Sequence, residues 1–275
     1  MSLVNRLTLR SREPRRFKDD SQRRQRITYG AVGIVGVLLG WSAVTHFGLV
    51  NAFLLPSPGA ALATGLELAR SGTLWGDTIA SLTRVLIGFV VALSTAVPLG
   101  ILMGLLRRVN YLVDPLIELI RPVPPIAIIP LAMLWFGIGE ESKIFLIAFG
   151  SFFPILLNTL AGLRAIDPTH VRAIKTLGAS RWQVIRRVVI PAAFPQIVVG
   201  ARLGIAMGFI VLVAAELIAA DSGLGYLIED ARRRFATDAV LVGIVVIGVI
   251  GLALNQLMLL LERRVVPWRF LESDS

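Results

Sequence analysis

The sequence predicts an all-α polytopic membrane protein with six transmembrane helices. Of its 275 residues, 55% are hydrophobic, and the mean hydropathy is +0.75. The apolar residues are gathered into repeated runs of about 20, the length that crosses a bilayer as a helix. A span in hydrocarbon must satisfy its own backbone hydrogen bonds, so each run is predicted to be helical.

The six predicted spans differ in regularity, because the third is short and interrupted by prolines. Their expected bounds are about 27–47, 79–106, 123–138, 144–163, 192–220 and 239–261. Around them the chain is divided into a basic N-terminal tail, 1–26; a first membrane helix with an external surface helix, 27–78; a core, 79–262, with a charged loop, 164–191; and a C-terminal tail, 263–275.

The basic residues predict the orientation. Most of the 28 Lys and Arg lie in the two tails and in the connections after the second and fourth spans. Because basic residues are kept on the cytoplasmic side, we expect a multi-pass protein of the cell membrane with both termini in the cytoplasm. The net charge of +10 does not favour nucleic acid, since the arginines flank apolar runs instead of covering one soluble face.

Several kinds of chemistry have no residues to support them. The chain has no cysteine, and its two histidines, His46 and His170, fall on opposite sides of the predicted topology. A disulfide framework and a histidine metal cluster are thereby excluded. None of the lysines follows a glycine, as a phosphate-binding loop requires. We therefore expect no enzyme site, metal or cofactor in this chain.

The charged loop predicts an ordered pair of short helices. Asp167 is expected to cap the first helix, and Gly178 to end it in the left-handed conformation. Ser180 starts a capping-box pattern for a second helix over 181–190, which Pro191 is expected to end. Such a pair either lies on lipid headgroups or is presented to a soluble partner.

A resemblance to a known family is carried by this loop and by four further segments. The loop contains Ala173-x-x-x-Leu177-Gly178-Ala179-Ser180 with Pro191 further on, and the other segments are 121–144, 213–225, 234–244 and 261–268. In the same order, these resemble the permeases of ABC importers, above all the taurine and alkanesulfonate branch. The chain departs from that pattern at Arg172, where the family usually has glutamate, so a contact of that glutamate is not carried over.

The resemblance implies a fold, partners and a function. The fold is that of the type I ABC-importer permease, whose charged loop docks on a cytoplasmic ATPase and transmits its motion. The residues implied in this coupling are Arg172, Ala173, Leu177, Gly178, Ala179, Ser180 and Pro191. The implied partners are an ATPase dimer that binds and hydrolyses ATP, a periplasmic binding protein and a second copy of the permease. Taurine or another sulfonate is the implied substrate, with nitrate, bicarbonate or a small heterocycle as the alternative.

Two charged residues fall inside predicted spans near their outer ends. Arg84 lies about one turn inside the second span, and Glu216 lies at a similar depth in the fifth. Charges in hydrocarbon are costly unless they are paired or hydrated. We favour an ion pair that locks the two helices together. In the alternative, Arg84 faces the translocation path and attracts an anionic sulfonate, with Glu216 as its gate partner.

The inner half holds further candidates for the path or its gate. Asp114, Glu118 and Arg121 share a face by helical spacing, and Arg202 is expected to pair with Glu118. Prolines interrupt the third span at 122, 124, 125 and 130. The carbonyls that such breaks free are tolerated only beside protein or water. The candidates for the path or gate are therefore Arg84, Arg121, Pro124, Pro125 and Glu216.

A stripe of small residues runs along the fifth span at Gly200, Gly204 and Gly208. Small residues at this spacing let another helix approach closely. The neighbour is either a helix of the same chain or a helix of a second subunit. Gly100 and Gly104 repeat the pattern in the second span.

Two other classes of function compete with an importer permease. An ion-coupled secondary carrier or a channel usually shows internal repeats and titratable residues at the midplane. This sequence has no clear repeat, and its buried charges lie away from the centre. A membrane scaffold without transport would leave the broken third span and the ordered loop unexplained.

Overall fold

The computed structural model describes residues 15–265, and every regular element in that range is helical. The helices are α1 (Arg15–His46), α2 (Pro58–Arg70), α3 (Thr73–Leu105), α4 (Arg107–Ile120), α5 (Ile129–Phe136), α6 (Glu140–Arg164), α7 (Pro168–Thr176), α8 (Arg181–Val184), α9 (Ile190–Ala219), α10 (Leu224–Arg233) and α11 (Thr237–Val265). A 3-10 turn (Pro125–Ile128) precedes α5, and a π-helical turn (Ile185–Val189) precedes α9. Most of the basic N-terminal tail and the end of the 261–268 segment lie outside the described residues.

The described helices form two compact units, which divide between Leu62 and Ala63. In the first unit, the indole of Trp41 near the end of α1 donates a hydrogen bond to the carbonyl of Pro56, at 3.0 Å. The hydroxyl of Ser57 accepts a bond from the N–H of Ala60 at 3.2 Å, which caps the start of α2. The short helix predicted after the first span is confirmed.

Five helical segments of the described chain are long and apolar enough to cross a membrane. A sixth candidate is a pair of shorter helical segments, Arg107–Ile120 and Pro125–Phe136, bent by 86° at the intervening break. Counting this pair as one span gives the six that the sequence predicts.

The predicted bounds of the third span, 123–138, are wrong. The apolar helix at that place, α5, has eight residues and is only ~12 Å long, too short to cross a bilayer. The span begins earlier, at Arg107, and α4 supplies its first half. The prolines at 122, 124 and 125 remove backbone donors at the junction, and the chain turns there instead of continuing as one helix.

The helix that begins at Arg181 does not end at Pro191, contrary to the prediction. It continues through the π-helical turn into α9 and runs on to Ala219. The N–H of Ile190 bonds to the carbonyl of Ile185, five residues back, so the turn is wider than an α-turn. A wider turn relieves the clash that the ring of Pro191 would otherwise make with the preceding turn.

The core of the second unit is built where α3, α6 and α9 meet. Buried apolar side chains such as Val85, Leu156 and Leu212 fill it. The glycine stripe of α9 is buried against α6: a Cβ at Gly204 would lie 2.7 Å from the side chain of Ile155. The stripe therefore packs inside this chain, and Gly100 of α3 approaches α6 in the same way.

Candidate functional site: a charge lock and an exposed helical element

Arg84 is buried in the N-terminal half of α3, and its guanidinium uses all five N–H donors inside the protein. Nε and Nη2 donate to the two carboxylate oxygens of Glu140, at 2.6 and 2.7 Å. Nη1 donates to Glu216 and to the carbonyl of Ser222, each at 2.7 Å, and Nη2 also reaches the hydroxyl of Ser222 at 2.8 Å. The predicted Arg84–Glu216 ion pair is confirmed, and every donor of Arg84 is occupied.

The start of α10 is held by side chains of other helices. Three consecutive backbone N–H groups donate to them, in the pairs Gly223–Asp77, Leu224–Ser81 and Gly225–Glu216, at 2.8, 2.9 and 2.9 Å. The first N–H groups of a helix have no partner within the helix and need such acceptors. The hydroxyl of Ser81 also donates to the carboxylate of Glu216 at 2.8 Å, which joins the caps to the ion pair.

We name this cluster the charge lock; its members are Asp77, Ser81, Arg84, Glu140, Glu216 and Ser222. It ties together α3, α6, α9 and the turn that leads into α10. Gly223 in that turn has φ +112, and a Cβ there would lie 2.7 Å from Nη1 of Arg84. The turn can approach the guanidinium this closely only because residue 223 is glycine.

The lock opens to the surface on one side, through Glu140, whose side chain is 52% exposed. Lys143 lies beside it, one turn along α6, with Nζ 3.2 Å from the carboxylate of Glu140 and 3.9 Å from that of Asp221. Lys143 falls between the predicted third and fourth spans, and its side chain is buried. Its carboxylate neighbours explain how the charge is tolerated there.

Two of the six lock residues, Arg84 and Glu216, were predicted from the sequence. A signal for two more was present, because Asp77, Ser81 and Arg84 are spaced by four and three and therefore share one face of α3. Glu140 carried the weaker signal of a carboxylate just before an apolar run. Ser222 carried none, since it contributes partly through its backbone carbonyl.

The charged loop is folded as its capping chemistry predicts. Asp167 accepts a hydrogen bond from the N–H of Thr169 at 2.7 Å and begins α7. Gly178 is left-handed, with φ +80. Ser180 and Gln183 form the reciprocal capping box that begins α8, with bonds of 2.8 and 3.3 Å.

We name residues 168–184 the two-helix element. Most of the residues predicted for coupling lie at its surface: Arg172, Ala173, Leu177, Gly178 and Ser180 are exposed, as is Pro191 beyond it, and Ala179 is half-buried. Leu177 is 85% exposed, and Trp182, which the sequence analysis did not single out, is 65% exposed. The element therefore presents two large apolar side chains among basic residues. It follows the C-terminal end of α6, whereas the charge lock holds the N-terminal end of that helix.

The remaining candidates for the path or gate lie apart from the lock. Arg121 follows the last residue of α4 and pairs with Glu118 of that helix at 3.6 Å. Pro124 and Pro125 begin the 3-10 turn at the bend. A Cβ at Gly150 would lie 3.7 Å from the ring of Pro125, which places the bend ten residues, ~15 Å, along α6 from Glu140. Of the five candidates, the lock includes Arg84 and Glu216.

The expected pairing of Arg202 with Glu118 is wrong. Arg202 of α9 donates to Glu262 of α11 at 3.1 Å, and the side chain of Glu262 is 4% exposed. The sequence fixes the depth of Arg202 in its span but not the direction in which its side chain points around the helix axis. A neighbour that packs on the other side of α9 was therefore missed.

An apolar groove of about 410 Å³ lies between α3, α4 and α6. Aromatic rings of α6 form part of its wall, and Phe149 contacts Phe153 edge to face, with ring centroids 5.3 Å apart. The only polar side chain in the lining is Thr95, whose hydroxyl donates to the carbonyl of Val91 in its own helix. Its chemistry does not match that of a site for a small anion.

Comparisons with known proteins agree with this architecture. Residues 96–267 match the family model described as binding-protein-dependent transport system inner membrane component. The taurine transport system permease protein TauC of Escherichia coli (strain K12) is 43% identical over 244 residues, which are 86% of this chain and 89% of that protein. SsuC of Bacillus subtilis (strain 168), provisionally assigned to aliphatic sulfonate transport, is 38% identical over 229 residues, 83% of each chain.

A chain of the MetNI methionine ABC transporter, crystallised in an inward-facing conformation, has the same fold. The two match with a TM-score of 0.64 at 18% identity, over 73% of this chain and 99% of that one. The resemblance read from the loop and the four further segments is confirmed, as is the expected permease fold. The chain thus belongs to the family of binding-protein-dependent transport system inner membrane components, and it is a multi-pass permease subunit of an ABC importer.

Proposed function

We propose that this permease carries taurine or another small sulfonate into the cytoplasm by alternating access. It works as a homodimer on two ATPase subunits, which bind and hydrolyse the ATP, and it holds no cofactor of its own. A periplasmic binding protein delivers the substrate to the end that carries the charge lock. Both termini and the two-helix element lie in the cytoplasm.

The exposed apolar surface of the two-helix element is the observation that carries the coupling role. Leu177 and Trp182 leave most of their surface in contact with water, although burial of such a side chain is worth about 1.5–3 kcal/mol. The element is ordered by its own caps, so these side chains are held in place before any partner binds. A rigid apolar pair ringed by basic residues fits a groove on a soluble partner better than a lipid surface.

The same element is joined to the charge lock through one helical run. From Arg181 the chain stays helical to Ala219, and Glu216 lies in its last turn. Between Trp182 and Glu216 this run extends ~50 Å at 1.5 Å per residue. A displacement of the element by the ATPase would therefore move α9 along its contact with α6 and act on the lock.

The two relatives named for taurine and aliphatic sulfonates support the substrate class, since each aligns over most of both chains. The lock does not serve as the recognition site in this conformation, because the donors of Arg84 are already occupied. Selection of the substrate then falls mainly to the binding protein.

Purification of the tagged permease from its native membranes in mild detergent tests the importer. We expect two permeases and two ATPases in each complex, and ATP-dependent uptake of taurine after reconstitution with the binding protein. Competition by alkanesulfonates but not by nitrate supports the substrate class. A permease recovered alone that catalyses uptake in ATP-free liposomes would overturn the proposal and favour a secondary carrier.

Gly178→Asp, with Gly178→Ala as its control, tests the coupling role of the two-helix element. A Cβ at this position meets nothing within 4 Å, so Gly178→Ala reports the backbone strain alone, whereas aspartate also adds a charge to the docking surface. Aspartate is among the residues that tolerate the left-handed region best. We expect Gly178→Asp to lose the ATPase on purification and Gly178→Ala to keep it. Wild-type transport by Gly178→Asp would show that the coupling assignment is wrong.

A further inference from the structure

Three consecutive exposed arginines close α10. The side chains of Arg232, Arg233 and Arg234 are 68%, 69% and 71% exposed. Glu229 accepts bonds from Arg232 at 2.7 Å and from Arg233 at 2.9 Å, and Asp230 pairs with Arg234. These carboxylates lie one turn earlier on the same helix, so the guanidinium groups are held in position while they remain open to solvent.

The position of this cluster in the fold is unusual for arginine. α10 follows the C-terminal end of α9, beside the charge lock, and precedes α11. At the same end, Thr64 of α2 donates to Asp238 at the start of α11, at 2.6 Å. In the proposed orientation this end faces outward, where arginine is depleted in connections between membrane helices. The presence of three consecutive arginines on this side is therefore not explained by membrane topology.

Phe235 follows the arginines and supplies a second, independent observation. Its φ is 58, the one non-glycine residue with positive φ among residues 15–265, and its side chain is 71% exposed. The N–H of Phe235 bonds to the carbonyl of Arg232, and that of Ala236 to the carbonyl of Ala231, at 3.1 and 2.9 Å. This is the motif that usually ends a helix with glycine, because glycine adopts the left-handed conformation without strain.

An exposed aromatic residue at a strained helix end is a pattern associated with function, since strain of this kind persists mainly at binding and switch sites. Arginine and aromatic side chains are also the residues that contribute most to protein–protein binding energy. Fixed guanidinium groups beside an exposed ring therefore form a compact surface for a partner with acidic side chains.

We propose that residues 232–235, the basic edge of α10, are a docking surface for an acidic patch on the periplasmic binding protein. The inference rests on the proposed function, which supplies that partner and the outward orientation. The start of α10 is bound to the charge lock through three backbone N–H groups. A partner docked on the far end of the ten-residue α10 thus acts on the helix that the lock holds.

Stimulation of the ATPase by the binding protein tests the surface. The complex is placed in nanodiscs, and ATP hydrolysis is measured against the concentration of the purified binding protein encoded with the permease. For Arg233→Glu combined with Arg234→Glu, we expect the half-saturating concentration to rise about tenfold, with the maximal and basal rates unchanged. Contacts between exposed charges are screened by salt, so the difference should shrink at high ionic strength. Arg70→Glu, an exposed arginine at the end of α2, is the matched control and should behave as wild type.

Phe235→Gly separates docking from a structural role. Glycine relieves the positive φ, so the thermal stability of the variant should equal or exceed that of the wild type. The half-saturating concentration should nevertheless rise, because the exposed ring is lost. A loss of stability without any change in half-saturation would assign Phe235 to the fold alone.

Several results would overturn the docking surface. Unchanged half-saturation in the double arginine variant would do so, as would an equal shift in Arg70→Glu. A defect that appears only in nanodiscs containing phosphatidylglycerol would assign the arginines to lipid headgroups. If the wild type itself is not stimulated by the binding protein, the proposed function fails; if the wild type is stimulated and the variants match it, only the docking surface fails.

Discussion

The guanidinium of Arg84 is stable inside a largely apolar core because five acceptors surround it. Removing a charge from water is expensive, and the cost is recovered only when geometry and hydrogen bonding are nearly complete. Here the acceptors come from Glu140, Glu216 and Ser222, which lie on two helices and a turn. The charge therefore specifies how these elements are arranged, and it does so more strictly than an apolar contact would.

The first prediction concerns Arg84→Lys. Lysine keeps the charge, but its donors sit on one nitrogen and cannot bridge both carboxylates and Ser222. We expect a loss of about 1–3 kcal/mol for each buried acceptor left without a donor. Thermal unfolding in detergent measures it, with Arg233→Lys at an exposed site as the control. Equal midpoints for Arg84→Lys and wild type would show that the bridging geometry is unimportant.

A second prediction uses two glycines with positive φ. At Gly72, φ is +85 and a Cβ meets nothing within 4 Å; at Gly223, a Cβ meets the carboxylate of Glu216 and the guanidinium of Arg84. Gly72→Ala should therefore cost only the backbone strain, about 1–3 kcal/mol. Gly223→Ala should cost clearly more and should also lower transport, because it displaces the ion pair. Similar unfolding midpoints for the two variants would contradict the close packing of the turn on the lock.

Part of the lock was predictable from the sequence. Arg84 and Glu216 interrupt long apolar runs at similar depth, and a buried charge needs a partner, so their pairing follows from two local facts. Glu140 and Ser222 were not predictable in this way, because they meet Arg84 only after α6 and the α9–α10 turn are packed. The wrong partner predicted for Arg202 has the same origin, since depth along a helix does not define rotation about its axis.

At the scale of elements, α6 and α9 pack closely along a stripe of glycines. Gly200, Gly204 and Gly208 let the backbone of α9 rest on the side chains of α6, and a Cβ at Gly204 would also lie 3.0 Å from the carbonyl of Ser151. Van der Waals packing at such close approach is a main source of helix association in lipid. The contact between α6 and α9 is consequently destabilised by the addition of a single methyl group.

The third prediction compares Gly204→Ala with Gly248→Ala. Alanine is the better helix former by about 0.8–1 kcal/mol, so Gly248→Ala, at an exposed position of α11 with nothing within 4 Å, should stabilise the protein. Gly204→Ala should destabilise it by about 1–3 kcal/mol, because the added carbon overlaps Ile155. Thermal unfolding of each purified variant, compared with the wild type, shows whether its unfolding midpoint rises or falls. A stabilising Gly204→Ala would show that α6 and α9 separate at no cost.

In the charged loop, the local sequence is sufficient to predict where the helices begin. Asp167 and Ser180 act on backbone groups two or three residues away, so caps and helix starts follow directly from the pattern. The effect of Pro191 depends on whether the preceding turn is an α-turn or a wider π-turn. The packing of α9 on the core determines which turn forms, and the local sequence pattern does not encode that packing.

At the scale of the whole second unit, the charge lock fixes the directions of the helices. Arg84 in the first half of α3 meets Glu140 at the start of α6, and Gly100 near the end of α3 lies against Thr159 near the end of α6. These two helices therefore run in the same direction. The chain between them must therefore return from one end of the core to the other. That return is made by α4, the bend and α5, and the bent pair is accordingly a full crossing despite its 86° angle.

The last prediction tests this crossing and the orientation together. The chain has no cysteine, so labelling of a single introduced cysteine is measured without a signal from native thiols. Arg70 and Leu177 are both exposed and are separated by α3, the bent pair and α6. Three crossings place them on opposite sides of the membrane, whereas a re-entrant α4–α5 pair would leave two crossings and put both on the same side.

With a membrane-impermeant maleimide, we expect Arg70→Cys to be labelled in intact cells and Leu177→Cys only in inside-out vesicles. Under the proposed coupling role, removal of the ATPase should increase labelling of Leu177→Cys, because the docked ATPase would cover that side chain.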